Sequence, residues 1–414
     1  MTLAYFQRLG DAVLAQWQQR GFEPGAFAGI ATAALAAAPP SQHVSSEDIV
    51  RWVLDYDDLV AQKNLEATFG QPPVTVFHHD RFYIEALFWL SSTTSIHQHA
   101  FAGAFSVLAG SSVQTRYRFE PRAEVERRLR FGTVSLRDVK ILRPGDVETI
   151  ELDGALIHSV FHLEHPSVTI VVRTGTKLTD EPQYAYYPPS VAVDVLDKCP
   201  QVARRLQFLE LLRETDPVQH RAAIRSAVAA WSPYAAFRVL ELEARRSDDL
   251  AVLDELIALA RDRHGAEFAS LRQVFARRRR ELIVSSRRAS VSEPDLRFFL
   301  AVLLVLPDRA SVYAALAAEY PGVDPRSQAL AFAHRLSGTA IVGVELDELN
   351  TILFECLVDG ADFAGAIRRL RAEYDDDSVD GQLDELAVHY RALAACELFE
   401  PLFDLTTVQQ GGLP

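Results

Sequence analysis

The sequence predicts an α+β protein, with a β-sandwich or small barrel at its centre and helices on either side. Three observations predict it. Between Pro72-Pro73 and about residue 185, short runs rich in Val, Ile, Phe, Tyr and Thr alternate with turn residues. Outside that stretch, apolar residues recur at helical spacing. The strand-like runs follow one another directly, without the intervening helices of βαβ units.

In chain order, residues 1–70 read as a helical N-terminal segment. Ala28 to Ala38 is rich in alanine and ends at Pro39-Pro40, which cannot continue a helix. Ser45-Ser46-Glu47-Asp48 then supplies a cap and an acidic first turn for a helix through Ile49, Trp52 and Val53. Residues 71–185 carry the strands, with Gly110, Gly132, Gly145 and Gly154 at expected turns. Residues 190–408 read as an all-helical C-terminal domain. Val202, Leu206 and Leu209 are spaced helically there, and Asp324 with Pro325 marks a helix start. Tyr374 to Asp377 read as a solvated loop, and the closing VQQGGLP as a frayed tail.

Composition narrows the function. The 414 residues are 49% hydrophobic and 24% charged, with a formal net charge of -14. That acidic balance excludes a general nucleic-acid binder, because phosphate affinity needs clustered positive charge. No apolar run is long enough to span a bilayer. The N-terminus lacks the pattern of a signal peptide. Three scattered cysteines form neither a metal pair nor a disulfide framework, so a cytoplasmic protein is expected. The one basic run, Arg277 to Arg280, points around a whole helical turn and has no interleaved aromatics. It reads as a solvated helix end or docking surface.

The chemistry is concentrated in SIHQHAFAGAFSVLAGSSVQTRYRF and in LRPGDVETIELDGALIHSVFHL. His97 and His99 are one residue apart, so on a strand both imidazoles share a face and can hold one metal ion from one side. A third ligand must come from another strand. His158 is the natural candidate, because it follows the Pro144-Gly145-Asp146 turn and an apolar run; His162 has the same strand parity and is the alternative. Three neutral imidazoles leave a divalent ion its full charge and open positions on one side. That favours a small anionic substrate, and imidazole suits iron, zinc, copper or nickel alike.

These segments resemble the cupin superfamily, whose first motif carries His-x-His and a downstream glutamate and whose second carries a Pro-x-Gly turn and a His. Here Gly103 and Ala104 stand where the glutamate would be. A three-histidine site without that carboxylate is similar to the cysteine dioxygenase-type thiol dioxygenases. The resemblance implies a cupin-like jelly-roll barrel holding iron(II), with zinc, nickel or manganese as alternatives, and a non-haem iron dioxygenase needing no 2-oxoglutarate. It covers about the strand-rich quarter of the chain. The family's metal-side His and Tyr fall by position near Arg173 and Gly175, so neither is kept, and cysteine is not implied as substrate.

Three more residues are candidates for catalysis. If Val171 and Arg173 face inward, Arg173 is a cation able to bind an anionic group; the substrate-binding arginine that the resemblance implies has no clear counterpart beyond Arg81, just before its strand. Glu85 interrupts the apolar run IEALFWL and is a ligand, a buried proton-transfer group or a residue on an exposed face. Tyr117, between Arg116 and Arg118, is either inward or aromatic filling. Two other functions fit the same sequence: a metal-dependent cupin isomerase or hydrolase without oxygen chemistry, and a non-catalytic ligand-sensing protein. The C-terminal helices are left to shield the barrel mouth, to form a homo-oligomer or to bind a protein partner.

Overall fold

Tyr5, Phe6, Leu9, Val13 and Trp17 form one buried stripe on α1 (Thr2–Gln19). In this computed structural model the described residues are 2–65, 70–90, 94–152, 154–175, 178, 180–194, 199–246, 250–337, 345–374 and 379–403. Asp375 to Asp377 and the VQQGGLP tail lie outside them. Helix α2 (Phe27–Ala37) gives out at Ala38, just before the proline pair. Helix α3 (Ser46–Asp55) opens on a capping box, with Ser45 and Asp48 each bonding the other's backbone. Regular helix ends at Asp55. The chain then runs beside the first strand, where the Gln62 amide bonds both the N–H and the carbonyl of Thr75, at 3.0 and 2.9 Å.

The strands are β1 (Pro73–His78), β2 (Phe82–Trp89), β3 (Gly103–Ala109), β4 (Ser112–Glu126), β5 (Leu129–Leu142), β6 (Val147–Ile150), β7 (Ile157–His162), β8 (Ser167–Thr174), β9 (Tyr184–Tyr187) and β10 (Val191–Asp194). They pair as two five-stranded sheets, β1-β2-β8-β3-β6 and β7-β4-β5-β10-β9. Every pairing is antiparallel. The pairing among the described residues is thus that of two sheets and does not amount to a closed barrel.

Both faces of the first sheet are covered, which is why all eight residues of β2 are buried. Phe82, Ile84, Ala86 and Phe88 pack outward with Val168, Ile170 and Val172 of β8 against Phe6, Trp17, Phe27 and Leu35 of the N-terminal helices. Leu87, Trp89 and Val171, on the opposite parity, pack inward with Phe105 and Val107. The outer face of the second sheet is covered in its turn. Leu129, Phe131, Tyr187, Val191 and Val193 pack against Val202, Leu209, Ile224, Phe237 and Phe268. These come from α4 (Pro200–Thr215), α5 (Pro217–Ala230), α6 (Pro233–Arg246) and a short 3-10 turn after α7 (Leu250–His264). Each such side chain contributes about 1.5–3 kcal/mol by leaving water. The two outer layers hold the inner faces of the sheets in place around the site.

By its internal contacts the chain divides into two compact units, Met1–Arg279 and Arg280–Pro414, with the division inside α8 (Leu271–Arg287). The first unit carries both sheets. The second holds α9 (Pro294–Val305), α10 (Arg309–Glu319), α11 (Pro325–Ser337), α12 (Glu348–Val358), α13 (Phe363–Glu373) and α14 (Leu383–Ala394). Asp308, Asp324, Asp347 and Asp362 cap helices of this unit through backbone N–H groups three residues on. The arginine run is not wholly solvated as expected. Arg280 is buried and donates to the carbonyls of Leu303 and Glu397, each at 2.6 Å, because the last turn of α9 leaves carbonyls unbonded within the helix. Among the described residues, no helix is long and apolar enough to cross a membrane.

Candidate metal centre

The segment with His97 and His99 is extended, but it is not a regular strand. His97 alone pairs, as isolated bridges to His158 on β7 and to Ala185 on β9, the two edges of the second sheet. His97 N–H donates to the His158 carbonyl at 2.9 Å, and His158 N–H donates back at 3.0 Å. Gln98 N–H donates to Tyr184, and Tyr186 N–H to Ile96. Extended backbone keeps the alternation of side chains. His97 and His99 turn inward beside His158, while the Gln98 amide donates to the Pro182 carbonyl at 3.0 Å and accepts from the Tyr186 hydroxyl.

One nitrogen from each of His97, His99 and His158 lies within 4.8 Å of the others. Nε2 of His99 and Nε2 of His158 are 3.0 Å apart. Burial holds all three imidazoles below the ordinary histidine range, His99 and His158 well below it. Mutual repulsion and the charge of Arg173 (on His99) or Arg116 (on His158) act in the same direction, while for His97 the Ser95 carbonyl partly opposes burial. The rings are therefore neutral, as metal ligands must be. Nδ1 of His97 lies 2.7 Å from the Ser95 carbonyl, which can only accept, so the proton sits on Nδ1 and Nε2 carries the lone pair. Nδ1 of His99 is buried without a hydrogen-bond partner among the described residues. The donor set fits a divalent ion. Metal–nitrogen bonds of about 2.0–2.1 Å at a right angle separate two nitrogens by about 3 Å.

The histidines line a cavity of about 370 Å³ between the sheets. Its walls are largely apolar, with Leu87, Phe101, Phe105, Val107 and Val171. The first sheet contributes a polar station. The Arg173 guanidinium lies 3.6 Å above the centre of the Phe101 ring, and that ring also packs on His99 at 4.7 Å. Among the described residues, Nε of Arg173 is buried with no hydrogen-bond partner, and the guanidinium's ion pair to Glu85 Oε2 is long, 3.9 Å. Glu85 is only 2% exposed and accepts from the Asn64 amide at 2.8 Å. Burial raises its carboxyl above the usual range, against the opposing pull of Arg173 and Asn64. Burial likewise lowers Arg173, opposed by Tyr83 and Glu85.

The structure therefore brings His97, His99, His158, Arg173 and Glu85 to one cavity. Glu85 is not on an exposed face. Tyr117 is not among the lining residues. Arg116 stands opposite His158 in the β4–β7 register, so Tyr117, one residue on, turns to the other face, where it packs with Ile157 and Tyr186. His162 lines the cavity outside the three-histidine cluster, stacked on Trp89 at 4.6 Å and bonded to the Ser112 hydroxyl at 2.9 Å. Arg81 lies over the Phe22 ring and is not a lining residue. A carboxylate ligand has no place at Gly103, since a Cβ there would stand 2.1 Å from the Val172 carbonyl oxygen. Asn64, Phe101 and Gln114 escape the sequence reading. Phe101 alone left a signal, because its parity matches that of His97 and His99.

No family model and no curated protein matches this sequence. Parts of the chain are similar to solved structures. One is the crystal structure of the DMSP lyase DddQ from Ruegeria pomeroyi DSS-3, at 17% identity over 44% of this chain and 96% of that one, with a TM-score of 0.23. Another is from the crystal structures of the DMSP lyases RdDddP and RnDddQII, at 16% identity over 36% and 74%, with a TM-score of 0.22. Likeness at this level assigns neither family nor function. What the fold and site define is a two-sheet, helix-flanked protein with a buried three-histidine cluster suited to a divalent cation.

Proposed function

We propose that this protein is a metal-dependent enzyme acting on a small anionic substrate, with one divalent ion held by His97, His99 and His158. The observation that supports it best is the shared cavity: three neutral imidazoles converge in it, and it is lined by a guanidinium whose Nε has no hydrogen-bond partner among the described residues. Arg173 receives the substrate's anionic group through its planar fork, most simply as a carboxylate. Phe101 holds the guanidinium flat from one side. The apolar walls exclude water, which strengthens that charged contact.

The first reading of the reaction is iron(II)-dependent dioxygenation of a cupin-like, cysteine dioxygenase-type kind, as the sequence motifs suggest. Bound iron would supply dioxygen activation, with the electrons drawn from the substrate. Glu85 favours a second reading, a lyase, isomerase or hydrolase in which the ion acts as a Lewis acid. Its buried carboxyl, raised above the usual carboxylate range by burial, suits a proton acceptor or donor. Oxygen uptake by the iron(II)-loaded protein with small thiol carboxylates separates the two. Uptake in proportion to product supports dioxygenation, and equal turnover under nitrogen rejects it.

A further inference from the structure

We infer that Gln114 is the positioning residue for the third metal ligand: its side-chain amide selects which nitrogen of His158 carries the proton. The inference rests on the three-histidine reading above and extends it to a residue that touches neither the ion nor the substrate.

Gln114 lies on β4 and is fully buried. Its register partner on β7 is Val160, two residues from His158 and on the same face. Its amide nitrogen is 3.1 Å from Nδ1 of His158. Its carbonyl oxygen is buried with no hydrogen-bond partner among the described residues. The two ends of an amide have nearly the same shape and exchange by a half turn of the terminal bond.

The two orientations have opposite consequences. With the NH₂ end toward His158, Nδ1 must accept, so the ring proton sits on Nε2. That nitrogen then donates to Nε2 of His99, 3.0 Å away, and the pair closes on itself. With the carbonyl toward His158, Nδ1–H donates to Gln114 and Nε2 presents its lone pair to the cavity. The second state is the one that binds a cation. It gives His158 the arrangement that the Ser95 carbonyl fixes for His97. For His97 the acceptor is backbone and cannot change, whereas for His158 it is an amide that can turn over. Gln114 therefore couples cation binding to a rotation of its own amide.

The test is a titration of metal-free protein with cobalt(II), read by the visible absorption of the bound ion and by competition with a chelator. Gln114→Leu removes the acceptor and is expected to weaken binding by about 10–100-fold. Gln114→Glu offers only acceptors and is expected to bind at least as tightly as the parent. Melting curves of the metal-free proteins check that each is folded. A purely structural Gln114 would lower the melting temperature without separating the affinities of the two variants. Folded Gln114→Leu with affinity within twofold of the parent overturns the assignment. If that variant does not fold, Gln114→Glu decides, and binding tenfold weaker than the parent overturns it. Should the parent bind no cobalt, or His158→Ala bind it equally well, the three-histidine reading itself fails, and the role of Gln114 with it.

Discussion

Nε2 of His99 and Nε2 of His158 face each other at 3.0 Å, on rings inclined by 61°. Two neutral imidazoles at that distance either share a proton or are joined by a cation. They reach this spacing by different routes. His158 is fixed in β7, and His99 comes from an extended segment pinned to β7 and β9 through His97. Since backbone pairing sets both routes, the spacing does not depend on the flexibility of a loop.

His162 and His158 share strand parity, but only His158 belongs to the three-histidine cluster, and this distinction can be measured. His162→Phe keeps a ring to stack on Trp89 and loses the bond to Ser112. The protein is expected to keep its full metal content. Metal analysis of His158→Ala beside it should show a loss of at least tenfold, in line with the effect of even indirect ligand support. Loss of metal in the His162 variant would make that residue a ligand.

Arg173 is expected to govern affinity for the anionic substrate. A charge-assisted hydrogen bond contributes roughly 1.5–3 kcal/mol, which is about 10–100-fold in binding. Arg173→Met should raise KM by that factor with little change in metal content, and Arg173→Lys should fall between, having the charge but not the fork. Steady-state kinetics on a carboxylate substrate and its amide analogue check this. The preference for the acid should vanish in the methionine variant.

Glu85 gives a pH-dependent prediction. Its charged near neighbour is Arg173, and Tyr83 and Asn64 also face it. Its carboxyl pKa is raised on folding, so between the ordinary carboxylate range and the raised value the folded state binds more protons than the unfolded one. Its stabilising contribution is full below that window and is lost as pH rises through it. The stability of Glu85→Gln relative to the parent should therefore fall as pH is lowered through that window, read from melting curves across pH. Activity of the same variant separates the two reaction classes. Dioxygenation tolerates the change within a few fold, whereas proton transfer by Glu85 predicts a loss of about 10²–10⁴-fold.

Much of the site was legible in the sequence because it depends on period-two alternation. The shared face of His97 and His99 and that of Val171 and Arg173 are of this kind, although alternation alone does not say which face of β8 is inward. The rest depends on pairings that one strand does not reveal. Gln114 meets His158 only through the β4–β7 register. Tyr117 reads equally well on either face until that register is known. Asn64 comes from a stretch without periodic pattern, held by side-chain bonds to the edge of β1 and set by a left-handed backbone at φ 55°. The division between the two compact units lies inside α8, a continuous helix whose composition marks no boundary.

The central claim is that His97, His99 and His158 together hold one divalent ion. Anaerobic reconstitution of the metal-free protein with iron(II), followed by quantification of bound iron in the parent and in the three single alanine variants, tests it most directly. The parent is expected to hold one ion per chain, and each folded variant to lose nearly all of it. A parent that retains no iron or other divalent ion, or a folded variant that retains as much as the parent, contradicts it.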